Sequence, residues 1–114
     1  MSESTDRVIW KYTEPVQDWI TLTLPEGAEL LHVGDQIGSG GQLDFWALVP
    51  RMQKAYDPPT RERVVRVFGT GNGAISIREL HGFAHWQTVV TAGGALVWHV
   101  FLDFDGSRTI PEGS

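Results

Sequence analysis

The chain has 114 residues and a mass of 12.7 kDa, with 41% hydrophobic, 11% aromatic and 20% charged residues and a formal net charge of −5 at pH 7. That length supports one hydrophobic core, so residues 1–114 read as a single domain, and the modest charged fraction excludes a chain disordered throughout. The absence of cysteine excludes disulfides, thiolate zinc sites and cysteine nucleophiles; the acidic balance opposes long nucleic acids; and no apolar run reaches the length of a membrane-spanning helix, so a cytoplasmic protein with no membrane partner is expected.

Residues 1–7 and 106–114 are polar or turn-rich and read as flexible ends. The first strand is Val8-Ile-Trp-Lys-Tyr12. The second, Trp19-Ile-Thr-Leu-Thr-Leu24, alternates so that Ile20, Leu22 and Leu24 face a core while Thr21 and Thr23 face away, and Pro25-Glu-Gly27 breaks it. A third strand is expected from about Glu29 to Ile37. It ends at Gly38-Ser-Gly-Gly41, a cluster suited to a hairpin connection into a fourth strand, Leu43-Asp-Phe-Trp-Ala-Leu-Val49. Parity puts Leu43, Phe45, Ala47 and Val49 on one face of that strand and leaves Trp46 beside Asp44 on the other. Pro50 stops it, and Asp57-Pro-Pro59 makes residues 51–61 an exposed loop.

Glu62-Arg-Val-Val-Arg-Val-Phe68 is the fifth strand and leads into Gly69-Thr-Gly-Asn-Gly73. Ala74 to Leu80 is a candidate sixth, and Ala84 to Ala92 and Ala95 to Phe104 pair as a hairpin across Gly93-Gly94. The last strand is the most regular: Leu96, Trp98, Val100, Leu102 and Phe104 share one parity, and Val97, His99, Phe101 and Asp103 the other. Seven to eight short, mostly antiparallel strands without a helical pattern predict an all-β domain, either a small barrel or a sandwich.

Reaction chemistry is sparse in this sequence. Gly69-Thr-Gly-Asn-Gly73 lies between strands and has no following lysine, so it fails the dinucleotide and P-loop patterns and reads first as a turn. His81 and His85 would lie about 13 Å apart along a strand, too far to share a metal ion. Asp103 and Asp105 are only a minimal carboxylate pair, and Ser39, Ser76 and Ser107 lack a nucleophile elbow. No catalytic residue, metal or cofactor is therefore expected. Two features favour binding instead. Arg51, Lys54, Arg61, Arg63 and Arg66 face only Asp57 and Glu62 between positions 51 and 66, a local excess suited to a small anion. Five tryptophans, Trp10, Trp19, Trp46, Trp86 and Trp98, are too many large rings for so small an interior, which leaves some for an interface or a stacking platform.

Ile9-Trp-Lys-Tyr12, Leu24-Pro-Glu-Gly-Ala28, Phe45-Trp-Ala-Leu-Val-Pro50, Gly69-Thr-Gly71 and Leu96-Val-Trp-His-Val-Phe101 follow one another in an order that resembles a family of small phage-encoded and prophage-encoded proteins of no established general function. The resemblance covers about positions 8 to 102 and departs from the family at residues 51–61 and at Gly38-Ser-Gly-Gly41. It implies the cytoplasm of an infected bacterium, and a host-takeover, counter-defence or minor virion role. One such class sequesters nucleotide-derived immune signals between protomers. The resulting expectation is a non-enzymatic homo-oligomer that captures a small nucleotide-like anion with Lys11, Tyr12, Trp46, Arg63, Arg66, Gly69, Thr70, Gly71, Asn72, Trp98 and His99. The alternative is a phage accessory or virion protein that acts through protein contacts without a small ligand.

Overall fold

Alternation of apolar and polar residues builds two antiparallel sheets that bury one face each. The computed structural model describes residues 6–51, 59–71 and 73–103. Its strands are β1 (Arg7–Pro15), β2 (Trp19–Pro25), β3 (Glu29–Gly34), β4 (Gln42–Pro50), β5 (Thr60–Gly69), β6 (Phe83–Thr91) and β7 (Leu96–Asp103), with a short 3₁₀ turn, Ala92–Gly94, between the last two. The order β1-β4-β3 forms one sheet and β2-β5-β7-β6 the other. Every pairing is antiparallel, and the layers make an open sandwich rather than a closed barrel.

The core lies between the sheets. Ile20, Leu22 and Leu24 of β2, Val33 of β3, Leu43, Phe45, Ala47 and Val49 of β4, Val65 and Val67 of β5, Val89 of β6 and Val100 of β7 form one buried cluster. Each fully buried Val, Leu, Ile or Phe contributes about 1.5–3 kcal/mol, so these inward parities fix the registers. The inward faces expected for the second and fourth strands are those observed.

Four features differ from the sequence expectation. β3 stops at Gly34 because Asp35 turns the chain: its carboxylate accepts the Gly38 and Gly40 amides at 2.8 and 2.7 Å. Residues 74–76 are irregular and 77–82 form successive turns instead of a sixth strand, with the Glu79, Leu80 and His81 amides bonded to the Ser76, Ile77 and Arg78 carbonyls and Ile77 left 88% exposed. At the start, β1 already includes Arg7, and the Asp6 carbonyl accepts the Arg51 amide at 3.0 Å. The expected loop at 51–61 is shortened by Thr60 and Arg61 joining β5; its residues 52–58, like residues 1–5 and 104–114, lie outside the described residues.

The two long sides of the sandwich are built differently. Where β3 lies over β6, Gln87 bridges the sheets by accepting the Val33 amide at 3.3 Å and donating to the Leu31 carbonyl at 3.5 Å. Asp35 also accepts the Thr91 hydroxyl, and the Ala92 amide bonds the Gly38 carbonyl at 3.1 Å. At the opposite side the sheets end in the edge strands β1 and β2.

Candidate binding surfaces

Strand parity distributes the sequence-predicted site residues over three separate surfaces. Lys11 and Trp46 are cross-strand partners on the outer face of the three-stranded sheet. Tyr12 and Trp98 turn inward and pack against the core. Burial raises the Tyr12 phenol above its ordinary pKa. The remaining described members, Arg63, Arg66, Gly69, Thr70, Gly71 and His99, belong to the four-stranded sheet and the turn that leaves β5. Asn72 lies outside the described residues, as do Lys54 and Asp105. Trp46, Trp98 and the arginines therefore do not meet in one cavity.

The cations expected to face an anion are engaged within the fold. In the row Trp19–Arg66–Phe101–His85 across the outer face of the four-stranded sheet, Arg66 is only 8% exposed. Its guanidinium lies 4.7 Å from the Trp19 ring and 4.1 Å from the Phe68 ring. It donates to the Asp18 and Val67 carbonyls at 3.0 and 3.3 Å and approaches the Glu79 carboxylate at 3.7 Å, so the turns at 77–82 close over it. Arg63 donates through Nε to the buried Asp103 carboxylate at 2.8 Å and through Nη2 to the Asp103 carbonyl at 2.9 Å. Asp103, read from sequence as half of a possible carboxylate pair, is thus a structural counter-ion that also accepts the Val64 amide. Arg51 and Arg61 form exposed pairs with Asp6 and Glu26, of little energetic weight.

A second polar group lies one row along. Thr70 Oγ1 is 2.7 Å from His99 Nε2, His99 Nδ1 is 3.3 Å from Thr88 Oγ1, and that hydroxyl is 2.9 Å from His85 Nε2. A hydroxyl both donates and accepts, so protons can be ordered along this chain in a single direction from Thr70 to His85 or in the reverse one. Thr70 and His99 are the two predicted site residues that the fold joins by a side-chain hydrogen bond. His81 sits in the turn before β6, and among the described residues no group of three or more His, Cys, Asp or Glu side chains is placed to share a metal ion.

The outer face of the three-stranded sheet is more open. Trp46 is half-buried in the row Lys11–Trp46–His32, with the His32 ring 5.6 Å from its own. Lys11 donates to Gln36 Oε1 at 2.7 Å, which draws the cation along the sheet. Ile9 (60% exposed) pairs with Leu48 in the adjoining row of the same face, and Leu31 (40% exposed) falls at the register shift of β3 just before His32. Trp10 shares the inward parity of Tyr12 yet remains 42% exposed, because β1 is an edge. Ile9 and Trp10 were legible as a strand; their exposure depends on strand order, which no local pattern encodes.

A family model described as a domain of unknown function, DUF7352, matches residues 5–109. The chain belongs to the DUF7352 family. No curated protein and no solved structure matches it significantly. The match spans both sheets, so the face around Trp46 and the Thr70–His99 chain both lie within the matched residues.

Proposed function

We propose that the protein is a non-enzymatic binding module whose working surface is the outer face of the three-stranded sheet, serving a phage accessory role through protein contacts. The observation that carries this reading is the half-buried Trp46 on an open sheet face shared with Leu48 and the exposed Ile9, set against the internal engagement of Arg63 and Arg66. A half-buried tryptophan on an open sheet face, with Leu48 and the exposed Ile9 one row away, has the character of an interface anchor, and truncating such an anchor costs about 2 kcal/mol or more, roughly thirtyfold in affinity. The phage setting is supported by the resemblance in motif order.

The test is site-specific photo-crosslinking in extracts of infected bacteria, with a benzophenone side chain at Leu48 or, on the other sheet, at Val90. A discrete adduct from Leu48 that Trp46→Ser abolishes is the expected result. Adducts from Val90 alone, or from neither position, overturn the reading.

The Thr70–His99–Thr88–His85 chain favours a second reading, capture of a small nucleotide-like anion on the four-stranded sheet. Thermal shift against cyclic nucleotides and ADP-ribose decides it. Stabilisation by several degrees that His99→Ala removes and Trp46→Ser leaves intact moves the working surface to that sheet.

A further inference from the structure

The free edge of β1 has a definite hydrogen-bonding phase. The Arg51 amide bonds the Asp6 carbonyl and the Val16 amide bonds the Gly41 carbonyl, each at a directly opposed position of the β1–β4 register. Even-numbered residues of β1 therefore direct their backbone groups at β4, and the amides and carbonyls of Ile9, Lys11 and Thr13 point away from it. Among the described residues, no strand pairs with that side. The side chains fit the same picture: Ile9 is 60% exposed, and Trp10, on the inward parity, projects uncovered at the rim of the sandwich.

We infer that two copies of this chain join edge to edge through antiparallel β1 strands, with Trp10 opposite its own copy on a two-fold axis and Ile9 opposite Lys11. The inference rests on the reading that this side of the molecule works through protein contacts, and it names a second copy as one of the partners.

Chemistry selects the register. A continuous sheet keeps like faces together, so residues of equal parity must be opposed. With Trp10 on the axis, Ile9 packs on the aliphatic stem of Lys11, Val8 meets Tyr12, and Ile9 and Lys11 exchange both backbone hydrogen bonds twice. Moving the axis to Lys11 opposes two ammonium groups; moving it to Ile9 opposes Arg7 and Lys11; both juxtapositions are unfavourable. With the axis at Tyr12, Ile9 faces Pro15, which has no amide to give. Asp6 and Glu14 meet only at the ends of the favoured run, where Asp6 already faces Arg51 at 3.7 Å. The Lys11 side chain does not obstruct the edge, because it lies over its own sheet toward Gln36. The product is a six-stranded sheet, β3-β4-β1-β1-β4-β3, in which both Trp46 surfaces face the same way and the pair becomes bivalent for whatever that surface binds.

Sedimentation velocity on the full chain should show a concentration-dependent dimer. Ile9→Pro removes an outward amide and the Ile9 side chain from each copy and leaves every β1–β4 hydrogen bond in place. It should keep the circular dichroism spectrum and weaken dimerisation roughly tenfold, as expected for the loss of two hydrogen bonds. Because the chain has no cysteine, single replacements read the register directly. On oxidation, Trp10→Cys should form a covalent dimer faster than Ile9→Cys or Lys11→Cys alone, and the double replacement Ile9→Cys/Lys11→Cys should regain the fast rate even if Trp10→Cys folds poorly. A chain that stays monomeric at millimolar concentration, or cross-linking no faster in the matched replacements than in the mismatched ones, overturns the pairing. Either result leaves the Trp46 surface to be judged by the Leu48 adduct. A dimer that Trp46→Ser dissociates and Ile9→Pro does not also overturns it, since the copies would then meet face to face.

Discussion

One long side of the sandwich is fastened and the other is open. Between β3 and β6, the Gln87 amide bridges both sheets, and the Asp35 carboxylate gathers two loop amides and the hydroxyl of Thr91. The Val33 amide and the Leu31 carbonyl of the edge strand β3 thereby find partners within the subunit. Along β1, the outward amides and carbonyls have no described strand beside them, and Ile9 and Trp10 there are 60% and 42% exposed. The same two layers thus carry their stability on one side and their capacity for contact on the other, which separates the mutations that should unfold the protein from those that should only disconnect it.

Asp35→Ala should have the largest effect on the fastened side. It removes the acceptor for Gly38, Gly40 and Thr91, and Thr91 is buried, so the loss should be about 2–4 kcal/mol by chemical denaturation. The hydrogen bond from Thr91, with those from the Gly38, Gly40 and Ile37 amides, holds the Asp35 carboxyl below its ordinary pKa despite the opposing effect of burial. A depressed carboxylate pKa adds stability that is full above the unfolded value near 3.8 and is lost as the pH falls through the folded value. The wild type should therefore lose stability on acidification below about pH 4 more steeply than Asp35→Ala. Equal acid limbs would show that the carboxylate is not what fastens this side. Gln87→Ala follows at about 1 kcal/mol: its two hydrogen bonds are long, but the Val33 amide it leaves behind is buried. A neutral result there would assign the closure to the Asp35 loop alone.

Much of this architecture is legible in the sequence. The inward sets Ile20, Leu22, Leu24 and Leu43, Phe45, Ala47, Val49 follow from parity, and so does the outward position of Trp46. The hairpins across Gly38–Gly41 and Gly93–Gly94 follow from glycine placement, and Gly40, at φ +82°, holds a left-handed conformation that any side chain would strain. Two of the departures carry local signals of their own. Asp35 followed by Gly38 is a side-chain-capped turn, which ends β3 early, and Ser76 accepts the Arg78 amide, a serine turn in what alternation of Ile75 and Ile77 disguised as a strand. The binding surfaces were less legible because they depend on strand order. Lys11 and Tyr12 are adjacent in sequence and lie on opposite faces of a sheet. Arg66 reads as a surface cation until Trp19 and Phe68, from two strands, enclose it. Trp10 has the parity of a core residue and is exposed only because β1 has one neighbour.

The smallest expected effect falls on the open side and is the most discriminating. Ile9→Thr keeps a β-branched side chain on an exposed strand position, so the stability of a dilute sample should stay within about 0.5 kcal/mol of wild type. If copies pair through β1, however, association stabilises the folded state by mass action, and the melting temperature of the wild type must rise with protein concentration. Threonine removes the apolar surface that meets the Lys11 stem, so the rise should be smaller in Ile9→Thr while the dilute limits coincide. A dilute-limit loss as large as that of Asp35→Ala would mean that β1 is held from within its own subunit, and the contrast between a fastened and an open side would disappear.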